Sequence, residues 1–115
     1  MYSSINELMK AYENGKRPRL GFIPHALERG VEMAAQLGLS PDEIRAAMED
    51  PIHIGYSEKH GAINLYGRRC TLAVGLKDGK AVVITILWAT KALWQASYLA
   101  GETHGRERRE HIDLY

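Results

Sequence analysis

The hydrophobic period of the chain changes at Pro51, and that change fixes the order in which helices and strands can follow one another. Before Pro51, apolar residues recur every three or four positions; after it, they recur every second position. The first spacing places side chains on one face of a helix and the second on one face of a strand. Proline also pushes the residue before it out of the helical region, so the last helix of the first half must stop there. A chain with its helices gathered ahead of its strands reads as α+β rather than as alternating α/β units.

Local signals sharpen the reading. Residues 4–14 carry Ile5, Leu8, Met9 and Tyr12 at helical spacing, with Gly15 as a stop. The basic link KRPR follows. A second helix begins at Pro24, a residue favoured at the first helical position, and ends at Gly38. Its expected buried stripe is Leu27, Val31, Ala34 and Ala35, which leaves His25, Arg29, Glu32 and Gln36 on the solvent side. The third helix has a strong start: Ser40 as cap, Pro41 at the first position and Glu43 completing an S-x-x-E capping box.

Four strands are expected beyond Pro51: IHIGYS, AINLY, RRCTLAVGL with Cys70, Leu72, Val74 and Leu76 inward, and AVVITILW, apolar on both faces. Asp78-Gly79 supplies a two-residue hairpin turn between the last two. Residues 90–100 return to helical spacing through Leu93, Ala96 and Leu99. The expected fold is therefore α+β, with N-terminal helices packed on a four-stranded antiparallel sheet and a C-terminal helix closing it. One domain over residues 1–101 is expected, followed by a flexible polar tail over 102–115.

Charge narrows the function. Residues 25–51 hold Glu28, Glu32, Asp42, Glu43, Glu49 and Asp50 against Arg29 and Arg45, a balance of −4. Residues 52–101 hold Lys59, Arg68, Arg69, Lys77, Lys80 and Lys91 against Glu58 and Asp78, a balance of +4. The segment AAQLGLSPDEIRAAMED has the outline of a DNA-binding helix-turn-helix, but its second helix carries four carboxylates and one Arg. Such a helix repels phosphates and lacks the polar set that reads base edges. A polyanion is expected to approach the basic half instead.

Other classes fall away. No apolar run approaches the roughly 20 residues a membrane helix needs. The opening MYSSINELMK has neither the basic nor the apolar region of a signal peptide. The single Cys70 fits a reducing compartment and a small core side chain, so the chain reads as cytoplasmic. The five histidines show no metal-site spacing, and neither a P-loop nor a dinucleotide motif is present, so no metal and no cofactor is expected.

Two clusters remain for chemistry. His25 and Arg29 lie one helical turn apart, the arrangement of a general base beside a cation that steadies a phosphate, or simply a solvated face. Thr85 interrupts the apolar run VVITILW, and Tyr66, Arg68, Arg69, Trp88 and Lys91 lie near the strand ends around it. Clustered cations there suit a phosphate clamp or a solvated hairpin edge.

The ordered set HALERG, GLSPDEIRAAMEDP and VVITILW resembles the small BrnT-like and RelE-like toxins, within the group of ribonuclease folds that includes barnase-like and colicin-type nucleases. The likeness covers residues 22–90 and is carried by His25 and Arg29, by 38–44 and by 83–85. It implies metal-independent cleavage of RNA by a growth-inhibiting toxin restrained by an antitoxin. His25 matches the helix-borne histidine, Arg29 its companion cation and Thr85 the strand hydroxyl. Tyr66 as a candidate acid, and Arg68, Arg69, Trp88 and Lys91 as substrate contacts, come from chemistry alone. No second histidine lies in the core strands to pair with His25. The acid is then Tyr66 or an Arg, or the fold binds without cleaving, as a protein-binding module or small regulator. The partners this reading admits are RNA, an antitoxin or other protein, and a second copy of the chain.

Overall fold

A computed structural model describes residues 1–57 and 61–100. The expected polar tail, with His104 and His111, and His60 in the second turn lie outside the described residues. The elements are α1 (Ile5–Glu13), β1 (Gly21–Phe22), α2 (Pro24–Leu37), α3 (Pro41–Glu49), β2 (His53–Ser57), β3 (Ala62–Tyr66), β4 (Cys70–Lys77), β5 (Lys80–Trp88) and α4 (Lys91–Ala100). The α+β class is as expected, but the sheet is five-stranded and mixed, in the order β1-β5-β4-β3-β2. Strands β2 to β5 form the antiparallel meander. The added strand, β1, runs parallel to β5, pairing Gly21 with Val82 and Phe22 with Val83. Two residues are too few to show a period, so this strand has no signature in the sequence.

The helix boundaries follow from their caps. The Ser40 hydroxyl accepts from the Glu43 N–H while the Glu43 carboxylate accepts from the Ser40 N–H, a complete capping box. Gly38 ends α2 in the left-handed region at φ 69°, where a Cβ would be strained. Asp78 and Gly79 both have positive φ, 53° and 77°, as the hairpin turn between β4 and β5 requires.

One sheet face carries the core. The cross-strand partners Leu65 and Leu72, Leu72 and Ile86, Ile63 and Val74, and Cys70 and Trp88 point the same way, and all are fully or almost fully buried. Leu8 and Tyr12 of α1, Ala26 and Met33 of α2, and Ala47 of α3 complete the same cluster.

The face by which α2 packs corrects the expectation. Ala26, Arg29 and Met33 are buried, whereas Leu27 is 56% and Val31 73% exposed, and Ala34 and Ala35 are exposed too. The polar stripe thus contributes to the interior and the apolar stripe lies open. In α4, likewise, Leu93, Trp94 and Ser97 turn inward, while Ala96 and Leu99 face out.

Candidate functional site

Three local events build the site at the β5 edge. The first is the early end of β1: after Phe22 the chain turns at Ile23, whose N–H donates to the Val83 carbonyl, and Pro24 starts α2. From Ile84 onward no strand among the described residues covers that edge of β5. The second is a β-bulge in β5, where Thr85 pairs with Ala73 and Val83 with Val74, leaving Ile84 as the extra residue. A bulge of this count turns two neighbouring side chains to one face, and here it sets Ile84 and Thr85 together on the face away from the core. It also explains why the run VVITILW shows no alternation. The third is the first turn of α2, which carries His25 to the uncovered edge.

His25 Nε2 and Thr85 Oγ1 lie 3.3 Å apart, within hydrogen-bond reach, although 60 positions separate them in the chain. His25 is exposed and Thr85 half-buried, so the pair is open to solvent. Of the expected site residues, these two are brought together.

Arg29 does not join them as a free cation. It is 4% exposed; its Nε donates to the Ile86 carbonyl at 3.3 Å and its Nη1 pairs with Glu32. It serves as a bracket: the guanidinium takes up a β5 carbonyl beyond the described β1–β5 pairing, and Glu32 balances the charge. Arg69 is likewise committed. Its Nη1 donates to both Glu43 carboxylate oxygens at 2.9 and 3.0 Å, and its Nη2 donates to the Leu37 carbonyl at 2.6 Å. Its guanidinium carbon sits 5.8 Å from the Trp88 ring centre. Burial pushes the Glu43 carboxyl up, but the Ser40 N–H and the Arg69 guanidinium together outweigh burial and hold it below the usual carboxylate range.

Trp88, expected to touch substrate, is 1% exposed and belongs to the core. Tyr66 is half-buried on the outer sheet face, its ring 5.5 Å from that of His53. Strand β4 lies between its strand and that of Thr85, which puts Tyr66 out of reach of the His25 pair. Arg68 and Lys91 are exposed, in the β3–β4 turn and at the start of α4. Cys70 is buried, and burial pushes its thiol up to about 11, which suits a core side chain.

Sequence reasoning missed two things: Glu43 and Glu32 as the partners that occupy Arg69 and Arg29, and the open apolar face of α2. The second did carry a signal, because a stripe at helical spacing must be covered by something.

The fold and the site define a small mixed α+β domain with an open imidazole–hydroxyl pair at a sheet edge. No family model, no curated protein and no solved structure matches the chain. Among the described residues no helix is long and apolar enough to cross a membrane, and no three metal-ligating side chains cluster.

Proposed function

We propose that the chain is a toxin-like, metal-independent ribonuclease whose reacting centre is His25 with Thr85. The observation that carries the proposal is the 3.3 Å approach of Nε2 and Oγ1 at an open sheet edge. Two polar side chains from distant parts of the sequence meet there, where neither is needed to fill the core. In the reading we favour, Nε2–H donates to Thr85, which fixes the tautomer and leaves Nδ1 bare to accept a proton. His25 Nδ1 then takes the proton of a ribose 2′-hydroxyl as its oxygen attacks phosphorus. The bond from phosphorus to the 5′-oxygen breaks, that oxygen takes a proton from water, and a 2′,3′-cyclic phosphate remains. Imidazolium afterwards returns its proton to solvent.

With Arg29 buried, positive potential at the phosphate has to come from elsewhere. His25 stands in the first turn of α2, whose N-cap residue, Ile23, makes no side-chain capping bond. A helix of 14 residues presents about half a positive charge at that end. The basic balance of the strand half favours approach of RNA from the sheet side.

The test is inducible expression in a bacterium, comparing the chain with His25→Ala. Growth arrest, RNA cleavage with cyclic-phosphate ends, and loss of both in the variant are expected. Arrest that survives His25→Ala would replace cleavage with inhibition by binding, and no arrest together with no RNA affinity would remove the toxin reading.

A further inference from the structure

Three cations gather where β4 turns into β5, and no carboxylate of the described residues pairs with them. Lys77 and Lys80 are cross-strand partners on either side of the Asp78-Gly79 turn. Like charges directly opposite each other are unfavourable, so this pair lacks a counter-charge. The third cation is Arg19 of the link KRPR. Arg17 of the same link donates to the Glu49 and Tyr12 carbonyls, whereas Arg19 makes no ion pair with a described residue. Arg19 and Lys80 line one cavity of about 490 Å³, just ahead of the β1–β5 pairing. Tyr2, Pro18, Leu20 and Ala81 give it apolar walls, and no described Asp or Glu lines it. Two unpaired cations over apolar walls suit a ligand with a phosphate and a less polar body.

Position ties this cavity to the His25 pair. Alternation along β5 puts Lys80 and Val82 on the face away from the core, and the bulge keeps Ile84 and Thr85 there. Gly21 pairs with Val82 and faces the same way, since a Cβ on it would meet Val82 Cγ1 at 3.6 Å. Of the two β1 residues, the one facing this side thus carries no side chain, and the edge stays low between the cavity and Thr85. From Val82 to Thr85 is about 10 Å at the usual strand rise. That is the rise of about three stacked nucleotides.

We infer that this cavity seats a nucleotide flanking the scissile one in the same RNA strand, its phosphate held between Arg19 and Lys80. The strand then runs along the β1–β5 edge from the cavity to the His25–Thr85 pair. The inference rests on the ribonuclease reading for the class of its ligand, and it provides cationic contacts that the buried Arg29 does not.

The test is a titration of the isotopically labelled full chain, by methyl NMR, with a 2′-O-methyl oligonucleotide of about six nucleotides, which cannot form a cyclic phosphate. Shifts at Leu20, Ala81 and Val82 that continue to Ile84 are expected. Arg19→Gln and Lys80→Gln should each weaken binding about tenfold, as loss of a charge-assisted contact does. Each should also flatten the dependence of log affinity on log salt by about 0.7. Both side chains are exposed, so the variants keep the fold, which unmoved core methyl signals verify. Arg45→Gln, which removes an exposed cation tied to Asp42 on α3, should bind as the parent does. No shift at Leu20, Ala81 and Val82, or Arg19→Gln and Lys80→Gln binding as tightly as Arg45→Gln, would overturn the inference. So would inorganic phosphate or a mononucleotide binding as tightly as the oligonucleotide, because the cavity would then serve a free ligand. Cavity shifts in a parent that cuts no RNA would refute cleavage and leave this site standing. Full-rate cleavage in both variants at low substrate would refute this site and leave cleavage standing.

Discussion

Glu43 ties the start of α3 to the β3–β4 turn, and its removal has a size that can be worked out in advance. In Glu43→Gln the side-chain carbonyl still accepts from Ser40 N–H, so the capping box persists, but the charge facing Arg69 is gone. The pair is about one-third exposed on each side, at 31% for Glu43 and 33% for Arg69, so its worth is that of a well-formed near-surface bridge, about 0.5–1 kcal/mol. Glu43→Ala also removes the reciprocal half of the capping box, adding about 1 kcal/mol. In a domain of this size each kcal/mol lowers Tm by about 4 °C. The pH dependence carries the sharper signature. Because the folded carboxyl lies below its ordinary value, the stabilisation is complete above the unfolded value and is lost as pH falls through the folded one. Thermal or urea unfolding should thus show Glu43→Gln less stable than the parent near neutrality and indistinguishable from it in strong acid. A deficit that stays the same in acid, or none at neutral pH, would refute the assignment of Glu43 as a charged strut.

Other outcomes follow from the packing. Gly30→Ala should raise stability by about 0.5–1 kcal/mol in urea unfolding, since the helix gains propensity and the new methyl meets only ordinary contacts. Gly67→Ala should lower it by about 1–3 kcal/mol, because the added Cβ would stand 2.9 Å from both the Ala47 Cβ and the Cys70 carbonyl oxygen. Arg29→Met should cost about 3 kcal/mol by leaving the Ile86 carbonyl and Glu32 without their guanidinium, measured by the same unfolding. The Cys70 thiol should resist alkylation in the folded chain at neutral pH and react at the ordinary rate once urea unfolds it.

The elements were legible wherever local chemistry alone decides them. Ser40 with Glu43, Gly38, Pro24 and Asp78-Gly79 each satisfy backbone groups within a few residues, so their effect can be read from the string. What escaped was decided across the sheet. β1 exists only because β5 offers two free backbone positions beside Gly21 and Phe22. Apolarity alone turns Leu27 and Val31 of α2 inward, but the helix sits on β5 through small Ala26, Met33 and an arginine that meets a strand carbonyl, and periodicity cannot foresee that exchange. His25 and Thr85 stand out in the sequence through the resemblance and through the break Thr85 makes in an apolar run. The cations grouped with them were drawn away by carboxylates, Glu32 within the helix and Glu43 some 26 positions distant from Arg69.

Cleavage of a defined RNA by the purified chain, with chelator present, measures the His25–Thr85 reading most directly. The parent should yield 2′,3′-cyclic phosphate ends, and a substrate with a 2′-deoxy sugar at the scissile position should resist. His25→Ala should lose about 10²–10⁴-fold in rate as a missing general base does. Thr85→Val should lose about tenfold, the worth of one positioning hydrogen bond, and Thr85→Ser should recover it. Cleavage that continues undiminished in His25→Ala, or a pure parent that leaves the RNA intact, would contradict the account.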